Sequence, residues 1–124
     1  MSQDFAPGDF LIFQLESAYG LLRILHVEKT PSDTIWHLAA YSDLFLDVEM
    51  ADAALDCYGS LSISHPHMAI TNRAFESTQV ARMRNVPLTD PDLIGFNKWK
   101  HGENPDVSDR SVRLCRTFSR PPPG

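Results

Sequence analysis

Five histidines, His26, His37, His65, His67 and His101, are the side chains best suited to chemistry in this 124-residue chain. Imidazole is the side chain whose ordinary pKa lies near neutrality, and it is also the commonest metal ligand. His65-Pro66-His67 is the one close pair. In an extended segment residues two apart share a side, so these two could hold a transition metal with a third ligand such as His37 or an aspartate. No Cys-x-x-Cys, no His-Glu-x-x-His and no carboxylate at ligand spacing accompanies the pair, and turn or surface histidines account for it more simply. Nucleophilic catalysis would need a Ser or Cys beside a His base and an orienting acid. All three types are present, yet there is no Gly-x-Ser-x-Gly turn, and neither Cys57 nor Cys115 sits in a motif. The six glycines are scattered and build no phosphate loop. The expectation is a protein without a catalytic residue, a cofactor or a bound metal.

The acidic residues form a tighter pattern. Asp43, Asp47, Glu49, Asp52 and Asp56 fall within 14 residues that contain no Lys or Arg. On a helix Asp52 and Asp56 lie one turn apart, with Glu49 close by on the same face. Such a surface repels nucleic acid and speeds encounter with a basic protein; a merely solvated helix face is the plainer alternative. The net charge of −5 is itself uneven. Residues 1–80 carry 11 acids and 3 bases, residues 81–124 carry 5 acids and 8 bases. Among the latter, Arg110, Arg113, Arg116 and Arg120 form the opposing cluster, and pairing of Arg113 with the acidic segment is favoured over an anion site. A chain with this acidic excess is not expected to bind nucleic acid nonspecifically.

The elements that position these residues are mostly strands. Gly8 to His26 reads as a hairpin, two apolar segments around a small polar connection containing Gly20. Thr34 to Tyr41 is a third strand, and Leu61–Ser64 and His67–Thr71 form one interrupted strand or two short ones around Pro66. Leu44, Val48, Ala51 and Leu55 are spaced four, three and four apart, which predicts a helix over Asp43–Leu55 capped by Ser42, with part of that stretch able to extend the preceding strand. Asn72–Ser77 predicts a helical turn, Gln79–Arg84 a strand, and Asp90-Pro91 a helix start with Leu93, Ile94 and Phe96 facing inward and Trp99 at its end. Gly102–Asp109 reads as a polar loop and Val112–Phe118 as a final strand. Trp36 and Trp99 read as core aromatics, Tyr19 suits either a core or a surface role, and Cys57 and Cys115 read as buried free thiols.

With 43% hydrophobic and 22% charged residues the chain suits one domain, placed at residues 8–118 with flexible termini at 1–7 and 119–124. The fold class expected is α+β, mainly β: a curved antiparallel sheet or partly open barrel of about five to seven strands with one or two short helices. No apolar run approaches a membrane span and no secretory leader is evident, so a cytoplasmic protein without a membrane partner is expected.

The order of features resembles the immunity protein 26 family of bacterial polymorphic-toxin and contact-dependent inhibition systems. The resemblance rests on Gly8-Asp9 before an apolar strand and on Tyr19-Gly20-Leu21-Leu22-Arg23-Ile24 as its return. It continues in Ile70-Thr71-Asn72-Arg73-Ala74-Phe75 and Val86-Pro87-Leu88, so that it spans most of Gly8–Trp99. The chain departs from the pattern in having no Trp near Arg82–Asn85, where an aromatic often precedes the Pro-Leu step. The resemblance implies a cytoplasmic, noncatalytic protein that binds and neutralises a cognate toxin domain, many such toxins being nucleases with basic clefts. Asp43, Asp47, Glu49, Asp52 and Asp56 would then face the toxin. The alternative reading is a small-ligand- or metal-binding β-barrel, possibly an enzyme, with His37, His65 and His67 in its mouth; a third is an accessory subunit whose sheet edge adds to a partner's sheet.

Overall fold

Phe10–Phe13 is an unbroken apolar run and Leu21–Leu25 is interrupted only by Arg23, and such runs belong to strands buried on both faces. A computed structural model, describing residues 5–102 and residue 107, places them at the centre of a five-stranded sheet. The strands are β1 (Asp9–Leu15), β2 (Ala18–Lys29), β3 (Thr34–Phe45), β4 (Ile63–Thr71) and β5 (Ala81–Asn85). They pair antiparallel in the order β4-β3-β2-β1-β5, an open sheet. Three short helices pack on it, α1 (Val48–Ala54), α2 (Asn72–Thr78) and α3 (Ile94–Lys100), with 3₁₀ segments at Leu55–Ser60 and Pro91–Leu93. The expected α+β, mainly β class is the class observed.

The hairpin is tighter than its sequence suggests. Leu15 pairs with Ala18, so Glu16 and Ser17 alone make the turn, and Glu16 takes a left-handed φ of 59°. Gly20 therefore lies inside β2, opposite Phe13, where a Cβ would stand 2.8 Å from the Phe13 ring. The glycine makes room for a core aromatic instead of turning the chain.

Two cores flank the sheet. On one face Leu11, Phe13, Leu22, Ile24, Trp36, Leu38 and Ala40 meet Ala74 and Phe75 of α2. Trp36 stacks on Phe75 at 4.0 Å between ring centroids, and its indole N–H donates to Asn72 Oδ1 at 2.9 Å, so the expected core role for Trp36 holds with its polar atom satisfied. On the other face Phe10, Ile12, Leu21 and Tyr41 are covered by Ala51 and Leu55.

The helix after β3 corrects the sequence reading. Asp43–Phe45 remain in the strand, as the alternative of an extended third strand allowed, and the cap is not Ser42 but Asp47, whose carboxylate accepts from Met50 N at 2.8 Å. Of the four periodic apolar positions only Ala51 and Leu55 are buried; Leu44 and Val48 are exposed, because the chain is still extended at Leu44. At the later helix start Asp90 makes no side-chain cap. Asp92 accepts instead from the Thr89 backbone N–H and hydroxyl, both at 2.9 Å, and Ile94 lies outward. The proposed strand Val112–Phe118, the arginines from Arg110 onward and Cys115 lie outside the described residues.

Candidate functional site

Three strands and one helix bring the histidines together. His37 of β3 is fully buried. Its Nε2 lies 3.1 Å from Glu28 Oε1 of β2, and its Nδ1 lies 2.9 Å from His67 Nε2 of β4. Phe96 and Trp99, one helical turn apart on α3, close over the group: Trp99 stands 4.6 Å from the His37 ring and 5.4 Å from that of His67, and Phe96 is 4.8 Å from His37. Trp99 is thus half-buried against imidazoles, not sunk in an aliphatic core.

Sheet irregularities decide which histidines join. A register shift between Ile24 and His26 pairs His26 with His37, and the His26 ring comes within 5.0 Å of Phe96. A second shift opposite Leu38 and Ala40 spans Pro66, whose lack of an N–H is tolerated because β4 is an edge strand. It corrects the expectation that His65 and His67 share a side. His65 pairs with Ala40, which belongs to the core of the opposite face, and its Nδ1 lies 3.3 Å from Ser64 Oγ. His37 and His67 therefore meet without His65. Among the described residues no group of three or more His, Cys, Asp or Glu side chains is placed to hold a metal. The two imidazoles spend a nitrogen each on one another instead.

Protonation follows from that chain of contacts. The Glu28 carboxylate offers lone pairs, so His37 donates through Nε2–H and keeps a bare Nδ1. His67 then donates its Nε2–H to that nitrogen, leaving its own Nδ1 as an acceptor. Burial holds His67 neutral, pulling its pKa from 6.5 down to about 4, with the neighbouring His37 adding to the effect. Burial also lowers the pKa of His37, against the opposing pull of Glu28.

His67 borders a cavity of about 530 Å³ between this sheet face and the segment leading into α3. Its walls include Leu25, Ala39, Ile63, Pro66 and Ile94, with Arg23, Tyr41, Asp92 and Lys98 as polar members. The frame is Arg23. Its buried guanidinium donates to Val86 O at 2.8 Å and Pro87 O at 3.2 Å, pairs with Asp92 at 3.1 Å and lies 4.6 Å from the Phe10 ring centroid. It thereby ties the Val86–Asp92 segment to β2. The pKa of Asp92 is lowered: burial opposes this, and the Thr89 hydrogen bonds and Arg23 prevail. Burial raises the Tyr41 pKa. Gly95 lets α3 approach β4, since a Cβ there would stand 3.0 Å from His67 Cβ and 3.1 Å from Pro66 O.

The acidic residues run from the end of β3 through α1 into the 3₁₀ segment Leu55–Ser60. They are not a uniform field. Asp43 accepts from Ser62 N at 2.6 Å, and Asp47 caps α1. Asp52 and Asp56 both pair with Arg84 of β5, at 2.9 and 3.1 Å, so a base distant in sequence partly neutralises them. Glu49 makes no ion pair among the described residues. Interleaved with these acids are exposed apolar residues that charge counting overlooks: Leu44, Val48, Met50 and above all Leu46, which is 77% exposed. Their signal in the sequence was the excess of apolar positions over what one helical face can bury. Cys57, expected buried, is exposed in the 3₁₀ segment after α1, because Leu55 alone of that segment turns to the core.

The chain matches no protein-family model, no curated protein and no solved structure. No helix among the described residues is long and apolar enough to cross a membrane.

Proposed function

We propose that this protein works by binding a basic protein partner, and that the partner is a toxin domain it neutralises. The observation that carries this reading is the surface from Asp43 to Met50. Leu44, Leu46, Val48 and Met50 are exposed within seven positions and alternate with Asp43, Asp47 and Glu49. Contiguous exposed apolar groups with a charged surround mark association surfaces more often than solvated ones. The sign of the surround selects a cationic partner and accelerates its capture at low salt. The toxin identity is what the likeness to the immunity protein 26 family adds; such a role requires a complementary surface and no catalytic group.

Expression of the domain encoded beside this gene in a sensitive host, with and without this protein, tests the proposal. Growth is rescued and the pair co-purifies. Leu46→Glu then removes an apolar anchor whose burial is worth about 1.5–3 kcal/mol, weakening the complex by roughly ten- to a hundredfold. Glu49→Lys is the cleanest charge reversal, because Glu49 makes no ion pair among the described residues, and it reduces both affinity and salt dependence. Rescue that is absent, or that is indifferent to both substitutions, rejects this surface and the reading built on it.

A further inference from the structure

We infer that the cavity beside His67 is a binding site for a small organic monoanion with an apolar body and a hydroxyl or N–H donor. The site shares no lining residue with the proposed partner surface and does not depend on it. Three observations fix the ligand class.

The first is size and lining. A cavity of about 530 Å³ with mostly apolar walls and a few polar groups has the character of a small-molecule site. The second is charge. Its charged lining is Arg23 and Lys98 against Asp92, two cations and one carboxylate, in a chain whose net charge is −5. Arg23 and Asp92 are committed to each other at 3.1 Å, while Lys98 makes no ion pair among the described residues. The surplus is thus one ammonium, that of the exposed Lys98 at the cavity wall, matched by one anionic group on the ligand.

The third is the polarity of His67. The order of donors from His67 through His37 to Glu28 leaves His67 Nδ1 with a lone pair. That nitrogen has no hydrogen-bond partner among the described residues. Nor is it fully buried: among the described residues Arg23 Nε alone is a buried side-chain nitrogen or oxygen without a partner, and His67 lines the cavity. A group entering beside His67 must therefore donate. Glu28 and His37 fix this preference by holding the imidazole in one tautomer, as second ligands to a histidine commonly do. The three requirements together describe a hydroxy acid or an N–H-bearing acid on an apolar scaffold.

Para-hydroxyphenylacetate is the probe, with phenylacetate lacking the donor and para-cresol lacking the charge. Titration of the full chain, followed by calorimetry and by backbone amide shifts, gives saturable one-to-one binding of the parent acid. Shifts concentrate at Leu25, Ile63, His67 and Lys98. Each truncated analogue binds at least about five-fold more weakly, the worth of one directed polar contact. Lys98→Met, at an exposed helix position, removes the advantage of the acid over para-cresol and leaves para-cresol binding unchanged. His67→Phe, which keeps a ring against Trp99, removes the advantage of the hydroxyl. Absence of saturable binding at millimolar probe overturns the proposal. So does equal affinity for the three compounds, or binding that both variants leave intact. Because the analogue series is read on the unmodified protein, the test survives a variant that fails to fold.

Discussion

Acidification from pH 7 to pH 5 should destabilise this protein through His67 more than through any carboxylate. The folded chain holds His67 at a pKa of about 4, below its ordinary value of 6.5, so between those values the unfolded chain binds more protons. The sign follows directly. The stability associated with neutral His67 is fully present above pH 6.5 and is lost as pH falls toward 4. Over the two units from pH 7 to pH 5 the unfolded imidazole is almost wholly protonated and the folded one is not, and linkage gives a loss of about 2 kcal/mol. His37, whose pKa is lowered by burial, acts in the same direction. Asp9 and Asp92 have pKa values lowered from 3.8, so their stabilisation is lost only at pH below this window.

Urea unfolding followed by tryptophan fluorescence at several pH values reads the effect, since Trp36 and Trp99 both lose their ring partners on unfolding. The native protein loses about 2 kcal/mol between pH 7 and pH 5, a shift of roughly 5–10 °C in melting temperature for a domain of this size. His67→Phe changes the absolute stability but flattens the slope. A wild-type slope no steeper than that of His67→Phe refutes the reasoning, because it would mean that His67 titrates alike in both states.

Three further outcomes follow from the packing. Asp47→Ala removes the cap on α1 and lowers stability by about 1 kcal/mol in denaturant unfolding, with no change in sheet signals. Gly95→Ala brings a methyl group to 3.0 Å from His67 Cβ and 3.1 Å from Pro66 O, so α3 gives way slightly and histidine shifts move in NMR spectra, while the crowding cancels the roughly 1 kcal/mol that alanine otherwise gains over glycine in a helix. Cys57, being exposed, reacts with Ellman's reagent in the native protein, and Cys57→Ser lowers the native-state reaction by one thiol equivalent without altering unfolding.

The sheet was legible because burial on both faces writes itself as nearly continuous apolar sequence, unbroken at Phe10–Phe13 and interrupted only by Arg23 at Leu21–Leu25. Its turn was not, because Glu16 takes a left-handed conformation with no glycine to announce it, while the nearby glycine serves Phe13. The acidic segment was legible as composition but not as a surface. Arg84 approaches it only through β5, added at the far side of β1, a pairing that no local spacing encodes.

The histidine site shows most clearly where periodicity fails and what replaces it. Alternation assigns His65 and His67 to one side only while a strand keeps its register, and a proline between them is a sign that it does not. Pro66 can sit only where its missing N–H is unneeded, at an edge or a bulge, and β4 offers both. The slipped register sends His65 to the opposite face and leaves His67 to His37. His37 in turn meets Glu28 because β2 and β3 run antiparallel and pair His26 beside it. The three members of the chain come from three neighbouring strands, so their order is set by sheet topology and their selection by two bulges. A linear motif could not have carried that arrangement, whereas a proline read as a break in register would have separated the two histidines from the sequence alone.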